Sequence, residues 1–177
     1  MASQQLESKW EGKSIANLKL GKAEQVWPIL EDFFNIHEWL PTIDTCYQLN
    51  NNTDGLIRYC ASTAPPSSSD DGEAIIKWCH ERLLTMDKME RYLSYEALEN
   101  NIGIRSYVAT FKVLSSDNDG GDDEEEEEGG CQIEWSFVAD PIDGLTLECF
   151  SGYIDSTLQS MAEKIEKALE CDFARSN

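Results

Sequence analysis

Apolar and polar positions alternate along most of the chain and predict a series of β-strands. In the last of them, Ile133, Trp135 and Phe137 occupy every second position and therefore share one face. Turn or loop sequences rich in Gly, Pro, Asn and Asp separate the strands. Seven strands are predicted, over 10–20, 42–49, 56–62, 73–86, 91–98, 104–114 and 131–138.

Helical periodicity predicts two short helices, over 23–30 and 35–39, and one long helix near the C-terminus. The last segment carries apolar residues three or four positions apart, which is the spacing of one helix face. These residues are Leu147, Phe150, Ile154, Leu158, Met161, Ile165 and Leu169. A helix of roughly 25 residues is about 37 Å long. It could line a ligand cavity over several turns, or it could be an ordinary core helix.

Length and composition indicate a single domain over 1–177. The chain is 41% hydrophobic, which is enough for a core. It has no apolar run of the ~20 residues that a membrane span needs, and residues 1–10 lack the apolar stretch of a signal peptide. We therefore expect a monomer in the cytoplasm, with the nucleus as the alternative location. In such a reducing compartment the six dispersed cysteines are expected to be free thiols.

The net charge of −20 excludes several kinds of partner. Nine acidic residues and no basic one lie in 115–130, so the rest of the chain still carries −11. A chain this acidic repels phosphate backbones and anionic membrane surfaces, so no nucleic-acid partner is expected. The acidic segment itself is predicted to be a solvated loop. There is no glycine-rich phosphate loop and no cluster of metal ligands in the sequence, so neither a cofactor nor a metal is expected.

Two charged residues on predicted strands are the first candidates for chemistry. Arg58 alternates with Leu56 and Cys60, and Glu81 alternates with Cys79. An arginine facing an apolar cavity offers a planar fork of donors that keeps its charge, and a carboxylate there could move a proton. The alternatives are an arginine that points to water and a purely structural ion pair between Arg58 and Glu81.

Tyrosines and the aromatic face of the last strand complete the candidate site. Tyr95 and Tyr107 alternate with small or apolar residues, and their hydroxyl groups could bind a ligand oxygen or only satisfy a backbone carbonyl. His80 is adjacent to Glu81 and should point to the opposite face of the strand. The residues expected to contact a small hydrophobic ligand are Tyr95, Trp135, Phe137, Phe150, Ile154 and Leu158.

The order of elements resembles the helix-grip fold of the START domains, the major birch pollen allergen and the polyketide cyclase/dehydrase group. The local sequence is similar to the lachrymatory factor synthase family of plants. The matching segments are Lys9-Trp10-Glu11-Gly12-Lys13, Glu24-Gln25-Val26-Trp27, Gly55-Leu56-Ile57-Arg58-Tyr59, Glu81-Arg82-Leu83 and Trp135-Ser136-Phe137. The resemblance implies an α+β fold in which a seven-stranded, curved antiparallel sheet surrounds the long C-terminal helix.

The resemblance also implies a site. Members of this family isomerise a sulfenic acid to a thial S-oxide with an arginine and a glutamate, which match Arg58 and Glu81, and with tyrosines, which match Tyr95 and Tyr107. It implies that Arg58 holds the developing oxyanion, that Glu81 moves the proton and that Tyr107 assists. The Pro/Ser-rich loop between Arg58 and Glu81 is longer here, and 115–130 is an insertion. We expect these two differences from the family to affect which ligand the protein binds.

The same fold also occurs in proteins with other functions. Abscisic acid receptors share the fold, but their pocket lysine, gate and latch are replaced here by Trp39, Ala64-Pro65-Pro66 and Ile104-Arg105-Ser106. A receptor of that kind is therefore not expected. The two functions carried forward are a cofactor-independent isomerase or cyclase and a non-catalytic carrier or sensor of a lipid or plant secondary metabolite.

Overall fold

Seven strands and one long helix form the framework of the protein. The computed structural model describes residues 8–49, 55–65, 72–116 and 130–176. The strands are β1 (Trp10–Leu18), β2 (Thr45–Gln48), β3 (Ile57–Ala64), β4 (Ile75–Asp87), β5 (Tyr92–Asn100), β6 (Tyr107–Ser115) and β7 (Cys131–Ala139). The helices are α1 (Ala23–Glu31), a 3₁₀ helix (Ile36–Glu38) and α2 (Leu147–Arg175).

All seven strands belong to one antiparallel sheet with the order β1-β7-β6-β5-β4-β3-β2. Strands β2 to β7 pair in sequence order, while β1 returns to pair with β7, so β1 and β2 lie at opposite edges. Helix α1 and the 3₁₀ helix fill the connection between these two edge strands. The predicted α+β helix-grip fold is therefore confirmed.

Helix α2 packs its apolar stripe against the sheet. It begins after Thr146, whose Oγ1 accepts a hydrogen bond from the backbone N–H of Cys149 at 3.1 Å and caps the helix. Six of the seven residues in the predicted stripe are buried, and Leu158, Met161 and Ile165 are completely so. The exception is Leu147, which lies in the first helical turn and is 37% exposed. No helix in the described part of the chain is long and apolar enough to cross a membrane.

Strand β4 is irregular where it pairs with β5. Its register shifts between Cys79 and Glu81 and again between Leu83 and Thr85. Irregularities of this kind bend a strand and increase its twist. They lie beside Glu81, so the bend occurs where the candidate site lies. The pairing of β4 with β3 is regular over the same residues and places Glu81 directly opposite Arg58.

Deleting 117–128 is expected to leave stability unchanged or slightly increased. The predicted acidic loop falls almost entirely outside the described residues, but its ends are fixed: Ser115 and Cys131 are register partners of β6 and β7. A shorter connection closes this hairpin at an entropy cost lower by on the order of 1 kcal/mol. Urea unfolding of both chains measures the change. The control keeps the length and replaces the nine acids with Ser and Gly. A loss of several kcal/mol in either variant would mean that the segment packs on the domain.

Candidate functional site

A cavity of about 380 Å³ lies between the sheet and the N-terminal half of α2. Its size is typical of small-ligand pockets and equals the liquid volume of about a dozen water molecules. Most of the lining is apolar, and the charged residues Arg58, Lys77 and Glu81 come from β3 and β4. The other lining residues are Leu40, Thr42, Ile43, Cys60, Ala61, Ser62, Trp78, Cys79, Tyr95, Ile102, Ile104, Tyr107, Trp135, Phe150, Tyr153 and Ile154.

An ion pair between Arg58 and Glu81 forms the polar part of the cavity. The two residues are register partners on β3 and β4. Oxygen Oε2 of Glu81 accepts a hydrogen bond from Nε of Arg58 at 2.7 Å and lies 2.6 Å from its Nη2 in an ion-pair contact. Arg58 is 2% exposed and Glu81 is 14% exposed. A charge-assisted pair of this geometry is strong because so little water reaches it.

Phe33, which follows α1, supports the guanidinium from a second side. Its carbonyl oxygen accepts a hydrogen bond from Nη1 of Arg58 at 2.7 Å, and its ring lies 3.9 Å from the guanidinium carbon. The ring of Tyr95 lies 5.0 Å from the same carbon. Burial, the largest single influence, lowers the pKa of Arg58, but the Glu81 carboxylate together with Cys60, Tyr95 and Cys46 more than offsets it, and the pKa lies above its usual value.

These contacts change the role that the resemblance implies for Arg58. Two of its five N–H donors, one on Nε and one on Nη1, are hydrogen-bonded within the protein, and Glu81 neutralises its charge. This geometry suits a residue that positions Glu81 better than one that binds an anionic group of the ligand. Within the described part of the chain, the contacts of the carboxylate with Arg58 and Cys60 are all made by Oε2. Oxygen Oε1 is thus the Glu81 atom available to a ligand.

Tyr95 and Tyr107 adjoin the ion pair on the same face of the sheet. They are 2% and 6% exposed, and their ring centroids are 6.2 Å apart. Burial raises the pKa of Tyr95 and of Tyr107 well above the usual phenol value, and the neighbouring Glu81 charge raises both further. Both hydroxyl groups therefore stay protonated; that of Tyr95 is directed to Tyr107, and that of Tyr107 can donate a hydrogen bond to a ligand oxygen.

Trp135 contributes a polar group that the sequence did not single out. Its ring lines the cavity, and its indole Nε1–H is buried without a hydrogen-bond partner in the part of the chain that the structure describes. Buried donors are rarely left unpaired because the desolvation penalty is then not compensated. A ligand acceptor in the cavity would satisfy this donor.

Two of the residues predicted to contact the ligand do not line the cavity. Phe137 packs edge-to-face on Phe150 at 4.9 Å, and Leu158 is completely buried beneath the sheet. The part of α2 that lines the cavity is the N-terminal end of the helix. Phe150 and Ile154 belong to that end and line the cavity. Phe137 and Leu158 therefore lie outside the cavity lining, and a contact of either residue with a ligand stays a prediction.

Several lining residues were missed at the sequence level. Cys60 and Cys79 face the cavity because each is two positions from Arg58 or Glu81 on its strand. The period of two could have identified both. Tyr153, which is 50% exposed, lines the cavity from the polar side of the predicted helix stripe, where periodicity gave no signal. His80 does not line the cavity; its ring packs against those of Tyr59 and Trp78.

The fold and the cavity define a helix-grip pocket protein, and comparison with known proteins agrees. Residues 21–170 match the family described as polyketide cyclase / dehydrase and lipid transport, and the chain belongs to this family. Among solved structures it is similar to the protein XoxI from Bacillus cereus, with 19% identity, a TM-score of 0.64 and coverage of 90% of this chain and 94% of that one. It is also similar to an uncharacterised protein from Bacillus thuringiensis, with 20% identity, a TM-score of 0.63 and coverage of 88% and 98%. At these identities the structures support the fold alone.

Proposed function

We propose that the protein is a cofactor-independent isomerase or cyclase that acts on a small, largely apolar molecule with one polar oxygen function. The observation that carries this proposal is the Glu81 carboxylate, held by a buried arginine at the wall of an otherwise mostly apolar cavity. A carboxylate positioned in this way can take a proton from one atom of the ligand and return it to another.

In this mechanism each polar residue of the cavity has a separate role. Arg58 fixes the carboxylate through Oε2, so that Oε1 of Glu81 approaches the ligand. The N–H of Trp135 and the hydroxyl group of Tyr107 donate hydrogen bonds to the ligand oxygen, and the hydroxyl group of Tyr95 interacts with that of Tyr107. Such donors stabilise negative charge on that oxygen as the proton leaves, and they act strongly where water is excluded. We propose Arg58 as a positioning residue, and Glu81 and Tyr107 as the groups that meet the substrate.

The chemistry resembles that of plant lachrymatory factor synthase, and this resemblance suggests an unsaturated sulfenic acid as the first substrate to test. Such a molecule is small enough for the cavity, and its acidic O–H group could exchange its proton with Glu81. We further propose that 1–177 forms one domain, that it acts as a monomer and that it works in the cytoplasm or nucleus of a plant cell. The strongly acidic chain supports a small-molecule partner over a nucleic acid.

The test uses the unaltered protein. Purified protein is mixed with a freshly generated unsaturated sulfenic acid, and the volatile thial S-oxide is followed by gas chromatography. We expect its formation to exceed that in a buffer control by at least about tenfold. Native mass spectrometry of the purified protein, before and after mild acid release, identifies any small molecule that co-purifies. No product, together with no bound molecule, would contradict the proposal.

A carrier or sensor is the alternative, and one observation favours it. The Arg58–Glu81 pair is internally satisfied, as expected of a structural pair that shapes an apolar pocket. A carrier would bind the co-purifying molecule and release it chemically unchanged. The isomerase would release an isomer of the same mass, so gas chromatography of the released molecule, which separates isomers, distinguishes the two functions.

A further inference from the structure

Two cysteines lie next to the Arg58–Glu81 pair and close to each other. Cys46 of β2 and Cys60 of β3 are register partners, both are buried, and their Sγ atoms are 3.7 Å apart. Opposed residues in antiparallel strands have Cα atoms about 4.5–5.5 Å apart, which is within the range that disulfides span. Bond formation requires the sulfurs to approach to about 2.0 Å.

We propose that Cys46 and Cys60 form a redox-active dithiol that a hydroperoxide closes reversibly to a disulfide. The position of β2 makes the required shift feasible. This strand has four residues and lies at the edge of the sheet, where its one partner among the described strands is β3. A short edge strand can move by the required distance without disturbing a second pairing.

The two thiols differ in a way that suits this chemistry. The Cys60 thiol donates to Cys46, and this hydrogen bond, helped by Arg58 and His37, lowers the pKa of Cys46 to about 7 against the effect of burial. The same hydrogen bond, burial and the Glu81 charge raise the pKa of Cys60. Cys46 is therefore the thiolate that reacts first, and Cys60 is the thiol that resolves the product.

The reaction proceeds in two balanced steps. The Cys46 thiolate attacks one peroxide oxygen and the O–O bond breaks, which yields a Cys46 sulfenic acid and a hydroxide that takes up a proton to become water. The Cys60 sulfur then attacks the sulfenic sulfur, the S–O bond breaks, and the leaving hydroxide takes the Cys60 proton to form a second water. With hydrogen peroxide, one equivalent oxidises the dithiol and is itself reduced to two waters.

The disulfide would alter the candidate site directly. Cys60 lines the cavity, and its Sγ lies 3.8 Å from Oε2 of Glu81. Closing the bond removes the proton of this thiol and draws the sulfur toward β2. The inference does not depend on the proposed function, because the thiol pair is defined whether or not Glu81 transfers protons.

Other cysteines are less suited to this reaction. Cys79 is the register partner of Cys60 on the other side, but its Sγ contacts the His80 carbonyl oxygen at 3.3 Å, and burial raises the pKa of Cys79 to about 12. Cys149 and Cys171 lie exposed on α2 and would oxidise without selectivity. The C149S/C171S variant removes this background and leaves four cysteines.

The experiment treats the full chain and the C149S/C171S variant with a small molar excess of hydrogen peroxide. Thiol titration, intact mass and non-reducing peptide mapping follow the reaction. In the variant we expect two of the four thiols to disappear with the loss of two hydrogen atoms, a link between the peptides that contain Cys46 and Cys60, and full recovery with dithiothreitol. Mapping of the full chain should find the same link.

Single substitutions on the C149S/C171S background provide the controls. C46S and C60S should abolish the link, whereas C79S should leave its yield unchanged. Oxidation of Cys46 to a sulfinic acid without a link, or a link between Cys60 and Cys79, would overturn the proposal. So would thiols that stay unreacted while the protein remains folded. None of these results bears on ligand turnover, so this test and that of the proposed function can fail separately.

Discussion

Replacing Arg58 with leucine lowers the free energy of unfolding by about 3–5 kcal/mol, as expected when one partner of a buried ion pair is removed. The substitution leaves the Glu81 carboxylate without its hydrogen bond and ion-pair contact with Arg58, and the Phe33 carbonyl without its donor. The substitution also removes the contact of the guanidinium with the Phe33 ring. Denaturant unfolding, monitored by tryptophan fluorescence, measures the loss.

A second Arg–Glu pair in the same sheet provides a matched control. Arg82 and Glu96 are register partners on β4 and β5, and they form an ion pair whose side chains are 35% and 26% exposed. Since water screens this pair, Arg82→Leu should cost about 1 kcal/mol or less. The double variant Arg58→Leu, Glu81→Leu should recover most of the loss because no buried charge remains unpaired. Equal losses from R58L and R82L would contradict the buried pair.

The fold was predictable because its signals are local and repeated. Alternation along β7 and the three-four spacing along α2 each rest on many positions, so a few exceptions do little harm. Leu147 is such an exception: it matches the stripe but lies in the exposed first turn of the helix. The positions of the register shifts in β4 were not predictable, because a register shift depends on the neighbouring strand and not on the sequence of β4 alone.

The candidate site was predictable only in part. The family resemblance supplied Arg58 and Glu81, and the structure shows that the two side chains meet. What could not be foreseen were contacts between distant segments, such as the Phe33 carbonyl that accepts from Arg58. The extent of the cavity could not be predicted from the sequence either. A continuous helix stripe gives no sign of where packing ends and empty volume begins, which is why Leu158 was assigned to the ligand.

Replacing Glu81 with glutamine is expected to lower the rate of isomerisation by about 10²–10⁴, the contribution usual for a positioned acid–base group. Glutamine keeps the shape of the side chain and one acceptor for Arg58, but it cannot take up a proton. Because the Arg58 charge loses its counterion, we also expect the free energy of unfolding to fall by about 2 kcal/mol. The loss should appear in kcat, with the affinity for the substrate nearly unchanged. Steady-state kinetics and circular dichroism at the assay temperature separate the two effects.

The control for this substitution is Glu96→Gln, which removes a carboxylate from the more exposed pair and should leave kcat within about twofold, since surface changes of this kind are nearly neutral. Glu81→Asp retains an ionisable carboxylate but shortens it by one methylene, so it should lose the Arg58 geometry and recover only part of the rate. Turnover by Glu81→Gln at the wild-type rate would exclude Glu81 as the proton carrier. The pocket would then be better explained as that of a carrier, in which Arg58 and Glu81 serve only to hold β3 and β4 at the wall of the cavity.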